Sequence, residues 1–165
     1  MRKLLYLLVI VLSLSACRDS GDGTEETQEE ERFFNYQKMP KKLAINSVAT
    51  PIMDEWAEFQ ELSSKYELLY KAKNEEDLQK AIADHIQKEK LLAKGTYPEL
   101  FDKLQIKSRQ RVLKTYMIKV KAAILSKNDT AEPTKEMIES YNALRHQFNI
   151  IVNNPLDKKL ILNEE

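Results

Sequence analysis

Ile106, Gln110, Leu113, Met117, Val120 and Ile124 recur at alternating steps of four and three. A strand changes face at every residue, so this spacing cannot line one side of a sheet; on a helix it draws a single seam. The seam predicts a long helix over Tyr97–Lys127, with Thr96 and Glu99 at capping-box spacing. A helix apolar along one stripe must be covered by other helices. The chain has only three glycines, Gly21, Gly23 and Gly95. That is too few for the tight turns of an all-β fold, and it leaves no glycine-rich loop to cradle a phosphate.

Three more segments share the pattern. Ile52, Phe59, Leu62, Tyr66 and Leu69, joined by Trp56 and Tyr70, mark a helix from Leu43 or Thr50 to Ala72. Thr50 before Pro51 reads as an N-cap, and a start at Leu43 would place a kink at Pro51. Leu78, Ile82, Ile86 and Leu92 mark a helix over Glu75–Lys94, capped by Asn74 and stopped at Gly95. Its first turn holds Glu75, Glu76 and Asp77, which suit the positive helix end. Met137, Tyr141, Leu144, Phe148 and Ile151 mark a helix over Ala131–Asn153, ended by Asn154-Pro155. Short links favour antiparallel neighbours, so the expected fold is all-α, an up-down-up-down four-helix bundle.

The N-terminal region has a different character. Met1-Arg2-Lys3 precede an apolar run, Leu4–Leu14, of about 16 Å as a helix against a bilayer core of ~30 Å. This is the order of a secretory signal rather than a membrane span. The run ends Leu14-Ser15-Ala16-Cys17, around the only cysteine in the chain. Those four residues resemble the lipobox of bacterial lipoproteins. The resemblance implies cleavage between Ala16 and Cys17, a diacylglycerol on the Cys17 sulfur and a third acyl chain on its amine. Multiple acyl chains anchor stably where one does not. Arg18–Glu31 then hold seven acids against one base, a composition that cannot build a core. It is similar to the acid-rich export signals of Bacteroidota surface lipoproteins, and the helical segment resembles small helical lipoproteins of the same group, with no activity implied. The expected layout is a signal peptide over 1–16, the lipidated Cys17 and an acidic tether over 17–42, the bundle over 43–155 and a tail over 156–165. Leu160-Ile161-Leu162 in that tail could cover one end of the bundle. The expected location is the bacterial cell envelope, at the outer membrane.

Beyond the tether, residues 32–165 carry a net charge of only about +4, too little to indicate nucleic acid. The cations nevertheless concentrate on the helix of the six-residue seam: Lys103, Lys107, Arg109, Arg111, Lys114, Lys119, Lys121 and Lys127. The first helix is acidic, with Asp54, Glu55, Glu58, Glu61 and Glu67. Charge pairing inside the bundle is the simplest expectation. The sharper one is a partner surface at Lys107, Arg109, Lys114 and Lys121. Leu104, Ser108, Arg111, Thr115 and Ile118 form a second stripe, on which Arg111 is expected half-buried beside a carboxylate. Gln110 and Arg111 are the candidate ligand contacts.

No catalytic set stands out. His85 and His146 lack the Glu three residues earlier that di-metal bundles use, so His85 is expected in the core and no metal or cofactor is implied. No Ser or Thr falls in a nucleophile motif. The aromatic set Trp56, Phe59, Tyr66, Tyr70, Tyr116, Tyr141 and Phe148 reads as core. The expected function is a noncatalytic, membrane-tethered binding or scaffold module that contacts another envelope protein. The alternative is a helical bundle that binds or senses a small ligand.

Overall fold

A computed structural model describes residues 39–153. The signal segment, Cys17, the acidic stretch through Glu31 and the tail with Leu160–Leu162 lie outside the described residues. Helix accounts for 73% of the described residues, and none of them is in a strand. The helices are α1 Thr50–Glu55, α2 Ala57–Leu69, α3 Glu75–Lys94, α4 Leu104–Leu125 and α5 Ala131–Asn153.

The α3 segment follows the sequence pattern to the residue, and α5 starts where its pattern starts and is helical to the last described residue. The Asn74 side chain accepts from the Asp77 backbone N–H at 2.8 Å, the cap its position demands. Gly95 ends α3 with an extended backbone, so its value there is space. A Cβ on Gly95 would lie 2.7 Å from Glu58 Oε1 on α2.

The first helix departs from expectation. It starts at Thr50, and the chain before it is not helical. Thr50 is not the cap: Ala49 occupies that position, and the Thr50 hydroxyl donates to the Asn46 carbonyl. The break falls at Trp56, whose ψ of 86° lies outside the helical region, and not at Pro51. Trp56 is 3% exposed and stacks with Phe59 and Phe101. Seating the indole in the core outweighs helix continuity at that residue. Gln60 recovers part of the loss by donating its side-chain amide to the Met53 carbonyl.

The Tyr97–Lys127 helix is shorter than its pattern suggests. Residues 97–103 form turns, and the Thr96–Glu99 capping box is not used; Lys103 precedes α4 without a side-chain cap. Phe101 is fully buried against Trp56 and Phe148. The turn that seats it is closed by Phe101 and Asp102 N–H groups on the Pro98 carbonyl. At the other end Lys127 adopts φ 51°, and Asn128 N–H reaches back to the Ala123 carbonyl. That is a Schellman stop built without glycine.

Successive helices pack on one another: α1 on α2, α2 on α3, α3 on α4, and α4 on α5. Aromatic contacts join α2 to α5. Tyr66 and Tyr141 stack at 3.7 Å, and Phe59 meets the edge of Phe148 at 5.2 Å. All six seam residues of α4 and the α5 residues Met137, Tyr141, Leu144 and Phe148 are buried. Tyr70, Tyr116 and Ile151 sit at the core edge.

Residues 39–46 are bound to the helices, so the tether read as far as Lys42 gives way to packed chain by Met39. Met39 packs on the core and the Tyr70 hydroxyl donates to the Pro40 carbonyl. Four α5 side chains, Asn142, Arg145, Asn149 and Asn153, then hold the segment. Asn142 donates to the Lys41 carbonyl, Arg145 to that of Leu43 and Asn149 to that of Ala44. Asn153 accepts from the Asn46 side chain. Steps of three and four put all of these residues on one face of α5.

Candidate functional site on α3 and α4

Two features meet on α4. The first is a cleft of about 440 Å³ between α3, the 95–102 turn and α4. Its inner wall is polar. Glu89 and Gln110, 1% and 3% exposed, sit at core positions of their helices. Gln110 donates its amide to Glu89 Oε1 at 3.2 Å and accepts from the Tyr97 hydroxyl. The Lys114 ammonium lies 3.3 Å from Glu89 Oε2, off hydrogen-bond alignment. Partial burial raises the Tyr97 hydroxyl pKa, with smaller contributions from the Glu89 and Asp102 charges, against the opposing bond to Gln110. The rim is cationic: Lys107, Arg111 and Lys114 line it. Lys107 is paired with Asp102 and lies 5.1 Å over the Tyr97 ring. Arg111 forms no ion pair among the described residues.

The second feature is the outward side of α4. Leu104, Ser108, Arg111, Thr115, Ile118, Ala122 and Leu125 are all exposed and continue the four-three step for the whole helix. At 100° per residue this stripe lies on the opposite side from the buried seam. Arg111 is therefore exposed, not half-buried, and it has no carboxylate partner among the described residues; the stripe was expected beside the seam and is across from it. The buried arginine of the domain is Arg145, bound to the Tyr141 hydroxyl and the Leu43 carbonyl. Leu104, Ile118 and Leu125 are 78%, 51% and 68% exposed. The outward side of α3 is mostly polar, with Glu76, Lys80, Gln87 and Lys90, and its one exposed large apolar side chain is Leu91.

The predicted partner residues divide between these features. Lys107 and Lys114 belong to the cleft rim, whereas Arg109 and Lys121 are exposed on α4 outside it. Both candidate ligand contacts, Gln110 and Arg111, line the cleft. Charge pairing inside the bundle is found between successive helices, and among the described residues no pair joins the acids of α1 and α2 to the cations of α4. Among the described residues, Glu61 pairs with Lys88 and Glu67 with Lys42, while Lys119 pairs with Glu136 on α5. Neighbours along the chain have taken the partners. Glu89 and Tyr97 were missed as site residues. The available signal was Glu89 four residues after His85, on the same face of a helix whose other inward positions are apolar.

His85 is fully buried. Its Nδ1 is 2.6 Å from the Ala81 carbonyl, and Nε2 has no partner. Burial pushes its pKa down to about 4, against a small upward pull from the Ala81 carbonyl. The ring is neutral at pH 7, with its Nδ1–H donating to Ala81. His146 is exposed. Among the described residues no three His, Cys, Asp or Glu side chains are grouped to hold a metal, and no helix is long and apolar enough to cross a membrane. No family model, curated protein or solved structure matches the chain.

Proposed function

We propose that this chain is a lipid-anchored module of the bacterial cell envelope, held at the outer membrane by acylated Cys17. In this reading its helices form an up-down-up-down four-helix bundle that works as a noncatalytic docking element for another envelope protein. Leu14-Ser15-Ala16-Cys17 supports the anchor. The observation that carries the docking role is the exposed apolar stripe along α4, flanked by cations. Of the ten exposed large hydrophobic side chains among the described residues, three (Leu104, Ile118 and Leu125) lie on this one stripe. Scattered exposed apolar residues need no explanation, but alignment along one helix face marks an interaction surface.

The test is native co-purification from gently solubilised membranes, with chemical crosslinking and mass spectrometry. A stoichiometric partner crosslinked through Lys107, Lys114 or Lys121 is expected. Recovery of the protein as a lone monomer would overturn the reading. Cys17→Ala should release the protein from washed membranes; retention there would remove the lipid anchor from the proposal.

The cleft favours a second reading, a small anionic ligand held by Lys107, Arg111 and Lys114 over the buried Glu89–Gln110 wall. Ligand that binds only the native state raises the melting temperature. A thermal-shift panel led by inorganic phosphate and simple carboxylates tests this. No shift across the panel at millimolar concentration would end it.

A further inference from the structure

We infer that the occupant of the outer face of α4 is an acidic amphipathic helix of a partner protein, laid along the Leu104–Leu125 stripe. The inference rests on the docking role proposed above and names the chemistry of the partner. The stripe spans about 31 Å, at 1.5 Å per residue. Its four-three step is the spacing that a second helix reads when it packs lengthwise. Large side chains stand at the ends, Leu104 at one and Ile118 and Leu125 at the other. The middle is smaller or polar, with Ser108, Arg111 and Thr115.

Charge selects the occupant. Within α4 the ionised residues are Lys107, Arg109, Arg111, Lys114, Lys119 and Lys121, with no Asp or Glu among them. Lys107, Lys114 and Lys121 stand seven residues apart and border the stripe on the side of α3; Lys119 borders it on the side of α5. A second α4 packed face to face would set Arg111 and Lys121 against their own copies, which costs free energy at each close pair. Lys107 and Lys114 already face Asp102 and Glu89, so the charges left for a partner are Arg109, Arg111 and Lys121, which are in no ion pair among the described residues. Carboxylates on a partner helix along the stripe meet Arg111 and Lys121 with opposite charge. The unpaired Arg111, at the centre of the stripe and on the rim of the cleft, calls for its carboxylate at a central position of the partner.

A lipid surface fits less well. A helix lying in the headgroup region buries a continuous apolar face. Here Arg111, Ser108 and Thr115 interrupt that face for two turns.

The experiment places a photo-crosslinking residue at Ile118 of the full chain in native membranes, with a control at Glu139, exposed on α5. The crosslinked segment is identified by mass spectrometry. The expected product is one segment of another protein with an apolar four-three pattern and flanking Asp or Glu. The double variant Arg111→Glu/Lys121→Glu should cut its yield at least tenfold. Neither residue is ion-paired among the described residues, so thermal unfolding should not change, and this separates lost docking from lost folding. Crosslinks to lipid, to α4 of a second copy, or to the acidic α1–α2 side of a second copy would each overturn the inference. So would a captured segment without the acidic pattern, or a yield indifferent to charge reversal. A stoichiometric partner captured at Glu139 but not at Ile118 would leave the docking role standing and remove α4 from it.

Discussion

His85 and Glu89 lie one turn apart on the same face of α3, and both are essentially fully buried. Their surroundings treat them in opposite ways. Glu89 faces α4, where Gln110 supplies a hydrogen bond and Lys114 a counter-charge, and Tyr97 extends the chain of polar groups toward the rim. His85 faces α2, where the edge of the Tyr66 ring lies 4.4 Å away and nothing bonds Nε2. Tyr66 and Trp56 in the same core also keep a polar atom without a partner. The α3–α4 side thus buries a carboxylate beside a donor and a counter-charge, with Oε1 bonded to Gln110 and Oε2 left to the Lys114 charge alone. The α2 side buries its polar groups by keeping them neutral. A neutral ring tolerates an apolar wall, whereas a carboxylate does not without help.

The largest expected effect tests the neutral side. The unfolded chain takes a proton on His85 near pH 6.5, while the folded chain refuses it until about pH 4. The contribution is complete above pH 6.5 and falls away as the pH drops through that window, reaching about 3 kcal/mol. Denaturant titrations at pH 7 and pH 4 should show this loss in the wild type and not in His85→Leu. An equal pH dependence in both proteins would mean that the ring is wetter than its burial implies.

Next comes the α3–α4 side. Gln110→Leu removes the donor to Glu89 Oε1 and strands a buried carboxylate oxygen, at a cost of about 2 kcal/mol at pH 7. A change under roughly 0.5 kcal/mol, the scatter of surface substitutions, would show that water serves Glu89 as well as Gln110 does. The smallest effect belongs to His85→Leu at pH 7. It removes one bond to Ala81 and one unmet nitrogen together, and stability should move by less than about 1 kcal/mol. A larger loss would show that Nε2 is satisfied after all, and the contrast between the two sides would collapse.

The sequence shows these differences unevenly. Apolar periodicity identifies α3 well because it is bounded by local chemistry, Asn74 at one end and Gly95 at the other. Where burial overrides local preference the pattern misleads. The Thr96–Glu99 box looks like a helix start, yet seating Phe101 beside Trp56 bends the chain there, and that contact joins residues 45 positions apart. Trp56 breaks the first helix for the same reason. In the site, Gln110 was legible because a polar residue interrupts an otherwise apolar seam. Arg111 was not, because a second four-three stripe on one helix does not announce whether it lies beside the first or across from it. The asparagine ladder on α5 was hidden too: Asn142, Asn149 and Asn153 are spaced like solvent-facing residues, and only the extended chain laid beside them gives them a task.

That ladder also decides how the domain meets mechanical load. Of the described residues, those at 39–46 precede α1 and meet a pull from the N-terminal side before it does. The pull is divided at once between α2, through Tyr70 and the Lys42–Glu67 pair, and α5, through Asn142 and Arg145. Asn149 and Asn153 come under tension only after those contacts yield. Contacts of residues 39–46 with α2 and α5 therefore stand between such a pull and α1.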